Sequence, residues 1–122
     1  MRKEDKLFSV KFVNNLSNEA LQEVSQADEP IVIITDLGSS NIEQINNYLK
    51  NKTVFILDHH QPFNVKENDN ITHLNPCLFN LPNPECSGST VTYLFTKHLN
   101  HENIESAYLA VIGSIGDMQE RN

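Results

Sequence analysis

The 122-residue sequence predicts an α/β fold, an open and mainly parallel sheet with flanking helices. Three observations predict it. Two short β-branched runs, Ile31 to Thr35 and Thr53 to Leu57, are continuously apolar, as strands of a parallel sheet covered on both faces are. Amphipathic helical patterns stand before, between and after these runs. Each run ends abruptly on a carboxylate, Asp36 and Asp58, followed by polar turn residues.

The elements follow in order. Phe8, Val10 and Phe12 alternate with Ser9 and Lys11, the period of a strand with one buried face. Ser17-Asn18 offers an N-cap to a short helix with Ala20, Leu21 and Val24 on one side. After Ile31 to Thr35 comes Asp36-Leu37-Gly38-Ser39-Ser40. Ser40 and Glu43 then have the spacing of a capping box ahead of Ile42, Ile45 and Leu49. Thr53 to Leu57 ends at Asp58-His59-His60. Residues 61–70 carry Pro62 and four Asn or Asp and read as a loop. Ile71 to Leu74 reads as a short strand, and the three prolines between Pro76 and Glu85 as irregular chain. Ser87-Gly88-Ser89 opens a helix presenting Val91, Leu94, Phe95 and His98. Asn103 caps a last helix in which Ile104, Ala107, Tyr108, Val111, Ile112 and Ile115 form the apolar face. That helix runs out at Gly113 and Gly116, and Asp117 follows.

Composition narrows the function classes. Leu, Ile, Val and Phe make up about 30% of the chain, enough for a core, so global disorder is excluded. No apolar run approaches the ~18 residues of a membrane span, and no signal-peptide core follows the charged N-terminus. The net charge of −7, with 9 basic against 16 acidic residues, argues against a nucleic-acid clamp. It is compatible with a divalent-cation site. Two cysteines are too few for a disulfide scaffold, and a cytoplasmic location is the simpler expectation.

Asp36 and Asp58 are separated by 22 residues, the length of one strand-helix-strand unit. Adjacent parallel strands deliver both carboxylates to the carboxyl edge of the sheet, where ligands bind in this architecture. His59 and His60 stand at the same edge. Two imidazoles and two carboxylates suit a hard or borderline divalent metal. Each residue also has a plain structural reading. Asp36 is placed to cap a helix, with Ser39 and Ser40 as competitors. Asp117 after a glycine reads as a turn. Ser87-Gly88-Ser89 at a helix start suits phosphate only weakly. His73, His98 and His101 read as surface or helix-face residues. His73, Cys77 and Cys86 are zinc-ligand types, but their spacing fits no common finger and free thiols in a loop are the simpler reading. An aspartyl-phosphate enzyme of the dehalogenase type is discounted, since it needs an acid two residues after Asp36, where Gly38 stands.

Together these segments resemble the DHH phosphoesterases. Asp58-His59-His60 behind Val54-Phe55-Ile56-Leu57 is similar to the name-giving motif, and Ile34-Thr35-Asp36-Leu37-Gly38-Ser39 to the aspartate motif before it. Ser87-Gly88-Ser89-Thr90-Val91-Thr92-Tyr93 and Ile112-Gly113-Ser114-Ile115-Gly116-Asp117-Met118-Gln119-Glu120 resemble later motifs of the archaeal RecJ-like branch. The resemblance implies a two-metal phosphodiesterase, dependent on manganese or magnesium, acting on single-stranded DNA or RNA ends. It implies that Asp36 bridges the metals, that His59 and Asp117 ligate one of them, and that His60 contacts the scissile phosphate together with Ser87, Gly88 and Ser89. Asp58 is implied to orient its neighbours through hydrogen bonds. Two cations about 3.5–4 Å apart neutralise charge growing on a phosphoryl group, which suits this ligand set.

The family's first motif, His-x-Asp-x-Asp-Gly, does not occur in residues 1–122. The expectation is therefore one partial DHH domain over residues 1–122, without the C-terminal substrate-binding domain, and with weak metal binding and little turnover by itself. A sheet without its first strand is further expected to homodimerise, to swap the N-terminal segment or to leave it displaced. Two other functions fit the same residues: a non-catalytic scaffold for replication or repair factors, and hydrolysis of short oligonucleotides, cyclic dinucleotides or pyrophosphate.

Overall fold

The computed structural model describes residues 6–79 and 86–117. Helix α1 (Asn18–Gln26) leads into strand β1 (Ile31–Thr35), helix α2 (Ile42–Tyr48) and strand β2 (Thr53–Leu57). Strand β3 (Ile71–Leu74) follows, then helix α3 (Gly88–Leu99) and helix α4 (Ala107–Gly116). Single 3-10 turns at Pro76–Phe79 and His101–Ser106 join the later elements. The three strands form one parallel sheet in the order β1-β2-β3. The α/β expectation holds, with helices on both faces of the sheet.

Register decides which side chains meet. Val32 pairs with Val54 and Ile34 with Ile56, so these four share one face. Against it lie Leu21 of α1, Ile42 and Ile45 of α2, and Leu49, all buried with Ile34, Val54 and Ile56 in one apolar cluster. On the opposite face the Phe55 ring lies 5.4 Å from Phe95 of α3. Helix α4 packs on the outside of α3. The N-cap expected at Ser17-Asn18 forms at Ser17, which accepts from the Ala20 amide, and the helix expected to open at Ser87-Gly88-Ser89 is capped by Ser87, which accepts from the Thr90 amide. Among the described residues no helix is long and apolar enough to cross a membrane.

Several local expectations fail, each for a physical reason. Strand β1 is less covered than expected: Ile31 remains 55% and Ile33 36% exposed, although α3 reaches both β1 and β2. Phe8, Val10 and Phe12 form no strand. Phe12 is 94% exposed, and the segment is held by Ser9 Oγ donating to Glu29 at 2.8 Å and by a Lys11–Glu23 ion pair. Alternation expresses a preference for a pleated, half-buried surface, and no neighbouring strand offers this segment a ladder. The Ser40–Glu43 capping box does not form either. Asn41 occupies the N-cap of α2 without a side-chain bond, and the Ser40 hydroxyl donates to Asn41 Oδ1.

The last helix differs most. Asn100, not Asn103, caps the 3-10 turn before it, and the Asn103 amide donates instead to the Thr96 carbonyl at 2.8 Å. The expected apolar face (Ile104, Tyr108, Val111, Ile112, Ile115) is exposed along with Leu94 of α3. Helix α4 turns its small residues inward instead: Ala110 is buried, and a Cβ on Gly113 would meet Ser89 Oγ at 2.1 Å. Close backbone approach selects glycine and alanine over the larger side chains. Residues 80–85, six of the ten in the irregular stretch, and Met118 to Glu120 lie outside the described residues.

Gly38 has φ +114, and a Cβ there would stand 2.9 Å from Ile56 Cγ2 in the core. Gly38→Ala therefore adds backbone strain to a core clash, and stability falls by about 1–3 kcal/mol in urea unfolding. A loss below about 0.5 kcal/mol would contradict this geometry.

Candidate metal centre

Because Thr35 and Leu57 are partners in register, the next residue of each strand leaves the same sheet edge. The ladder continues one step beyond the strands, with Asp36 N donating to Leu57 O at 2.9 Å and Asp58 N to Leu74 O at 3.1 Å. From there the chains diverge. Asp36 turns into the left-handed region at φ +62, which aspartate tolerates better than most residues. Its carboxylate is 64% exposed. The N-terminus of α3 backs directly onto it, since a Cβ on Gly88 would fall 2.3 Å from Asp36 Oδ1.

Asp58 takes the opposite path and is 1% exposed. Its Oδ2 accepts from Ser39 N at 2.9 Å, and its Oδ1 from His59 N at 2.8 Å, His60 N at 3.3 Å and the His60 ring Nδ1 at 2.7 Å. Burial works against the charge, but the His60, Ser39 and His59 hydrogen bonds together outweigh it and hold the carboxyl down at about 2. The bond to Asp58 raises the His60 imidazole above its ordinary range against some desolvation, with help from the Asp58, Asp36 and Asp117 charges.

His59 lies between two carboxylates. Its Nε2 is 3.2 Å from Asp36 Oδ1, and its Nδ1 is 3.8 Å from Asp117 Oδ2. Asp117 is placed by the last turn of α4, where its amide donates to Gly113 O at 2.9 Å. The two imidazoles lie against each other with centroids 4.3 Å apart and planes tilted by 54°. Asp36, His59 and His60 each bring a ligand atom within 4.8 Å of the others, with Asp117 beyond His59. Carboxylate oxygens and imidazole nitrogens are the donor set expected for manganese, magnesium or zinc-like cations. The residues therefore fit a divalent metal, and the close contact at Gly88 fixes the carboxylate that would hold it.

The remaining sequence candidates are placed as follows. Ser87 is buried as the cap of α3, and its hydroxyl lies 2.7 Å from Ser89 Oγ and 2.9 Å from Ser114 Oγ, joining α3 to α4. Gly88 backs Asp36 and Ser89 faces α4. His98 and His101 are exposed. His73 is not a surface residue: its side chain is 3% exposed, with both ring nitrogens engaged by Glu67 and Ser39. It is thus unavailable to a zinc site with Cys77 and Cys86, which are free thiols. Sequence reasoning missed Ser39 and Asn75. Asn75 Nδ2 donates to Ser39 Oγ at 2.8 Å and to His60 O at 2.7 Å, and its Oδ1 accepts from Cys77 N. The only sequence signal for either was a small polar residue set close behind a strand.

Comparison with known proteins adds two findings. A sequence model described as "DHH family, N-terminal domain" matches residues 5–114. A Methanocaldococcus jannaschii protein named "Uncharacterized protein MJ0831" is 36% identical over 122 residues, covering 94% of this chain. The matched region spans 27% of that relative's length.

Two outcomes follow from the geometry. Asp58 is depressed on folding, so its stabilisation is complete above the unfolded carboxyl range near 4 and is lost as pH falls through about 2. Asp58→Asn should cost about 2 kcal/mol at neutral pH, with the gap to wild type closing between pH 4 and pH 2 in urea titrations. Gly88→Ala should displace the Asp36 carboxylate and weaken manganese binding at least about tenfold in calorimetry, the scale seen when ligand supports are lost. Unchanged affinity would show that Gly88 does not set the ligand.

Proposed function

The chain belongs to the DHH family, and from that premise we propose that it forms part of the catalytic core of a RecJ-like phosphodiesterase hydrolysing single-stranded DNA or RNA ends. The observation that carries the proposal is the convergence of Asp36, His59 and His60 within 4.8 Å at the carboxyl edge of a parallel sheet. Membership of the family supports phosphoester hydrolysis in general. The narrower substrate is supported by the order of the four matching segments, and manganese by the mixed carboxylate and imidazole donors.

In this proposal Asp36 and His59 hold the cation, Asp117 is drawn in to it from the far side of the His59 ring, and a complete domain adds ligands for a second. A divalent cation bound there supplies neutralisation of the charge that grows on a phosphoryl group as it is attacked. The protein's own residues orient and exclude. Asp58 occupies His60 Nδ1, which leaves Nε2 as the ring's free position for a substrate phosphate oxygen. Helix α3 points its N-terminus at the Asp36 side of the site, where its dipole favours negative charge. A net charge of −7 gives the chain little means of gripping a long polyanion, so nucleic-acid affinity comes from a basic surface outside these residues.

Manganese titration and hydrolysis assays test this directly. The substrates to compare are end-labelled single-stranded DNA and RNA, cyclic dinucleotides and pyrophosphate. Asp36→Ala should lower manganese affinity by at least about tenfold and remove manganese-dependent cleavage of single strands. Cleavage that survives this substitution overturns the proposal, and turnover confined to pyrophosphate or dinucleotides reassigns the substrate. Capture of replication factors, equal in wild type and His59→Ala and without any hydrolysis, would favour a scaffold.

A further inference from the structure

The loop over residues 61–70 looks featureless in the sequence, yet it is clamped to α2. Asn46 Nδ2 donates to Lys66 O at 2.8 Å, Asn68 N donates to Asn46 Oδ1 at 2.9 Å, and Asn68 Nδ2 donates to Asn46 O at 3.1 Å. Both neighbours of Glu67 are therefore fixed. Glu67 Oε1 lies 2.9 Å from His73 Nδ1, and His73 Nε2 lies 2.9 Å from Ser39 Oγ. The hydrogen bond from His73 holds the Glu67 carboxyl below its usual range against partial burial.

A carboxylate only accepts, so the His73 Nδ1 that faces Glu67 donates to it. The Ser39 hydroxyl meets the other ring nitrogen and also accepts from Asn75 Nδ2 at 2.8 Å. Asn75 Nδ2 donates in turn to His60 O at 2.7 Å. Ser39 is fully buried, and its backbone amide donates to Asp58 Oδ2, whose Oδ1 accepts from His60 Nδ1.

We propose that Glu67 and His73 are positioning residues, which through the Ser39 hydroxyl and the Asn75 side-chain amide fix the turn that carries His60 at the candidate metal centre. The inference rests on the metal-site reading for its purpose but not for its geometry. A buried histidine that merely satisfied its own nitrogens would leave His60 indifferent to Glu67. A relay couples the two across the sheet edge.

The test uses long-range proton–nitrogen NMR of the histidine rings in the metal-free chain at neutral pH, comparing wild type, Glu67→Ala and Glu67→Gln. Wild type should show a proton on Nδ1 of both His73 and His60. In Glu67→Ala, the His73 Nδ1 signal should change, and the Ser39 amide and His60 ring signals should shift with it. Glu67→Gln keeps an accepting oxygen and should restore the wild-type pattern. Manganese affinity should fall about three- to tenfold in Glu67→Ala and return in Glu67→Gln, less than for a direct ligand support. Should Glu67→Ala lose its amide dispersion, Ser39→Ala cuts the same chain beyond His73, and the His60 ring is read there instead. Unchanged Ser39 and His60 signals beside an altered His73 overturn the relay, as does Glu67→Gln behaving like Glu67→Ala. Failure of wild type to bind manganese overturns the metal reading alone, because the ring spectra decide the relay without metal.

Discussion

A carboxylate buried to 1% exposure is the constraint on which the rest of the site depends. A charge taken out of water without partners is very costly, so Asp58 persists only because four hydrogen bonds reach it. Three of those come from the two residues after it, which forces the chain to curl tightly around the carboxylate as β2 ends. That curl lifts His59 towards Asp36 and sets the His60 ring against the His59 ring, tilted by 54°. The fourth comes from Ser39, on the neighbouring crossover. One buried charge thereby ties the turn after β1 to the turn after β2.

Two close approaches complete the arrangement. Gly38 lets the turn after Asp36 settle onto Ile56, and Gly88 lets α3 reach the Asp36 carboxylate. Asp36 itself sits in the left-handed region, where backbone strain of order 1 kcal/mol is sustained only if the surroundings enforce it. The exposed carboxylate is thus presented by a rigid frame rather than by a mobile loop. Preorganisation of this kind is what a metal ligand needs, because a ligand that must be ordered on binding loses affinity to entropy.

The parts of this structure legible in the sequence are those fixed by local pattern. Ile31–Thr35 and Thr53–Leu57 announce themselves as strands, and their parallel pairing follows from the helix between them, so Asp36 and Asp58 could be placed at one edge. The hydrophobic pattern could not say which face of α4 turns inward. Its large apolar residues suggest the core, whereas packing against α3 is decided by Gly113 and Ala110, whose value lies in what they lack. Nor could it reveal His73. A histidine in a short polar-flanked strand looks like a surface residue until the loop five to seven residues earlier is found pinned to α2 by Asn46. Long-range polar bonds of this type carry no period and leave no local trace.

Charge completes the argument. Asp36 and Asp117 converge on opposite nitrogens of one imidazole, and among the described residues neither makes an ion pair with lysine or arginine. The only Lys–Glu pair described lies at Lys11 and Glu23, on the N-terminal segment and α1. Negative charge therefore gathers at the sheet edge, on the side of the imidazoles where a divalent cation would be held. Part of the chain's net charge of −7 is therefore the electrostatic signature of the site.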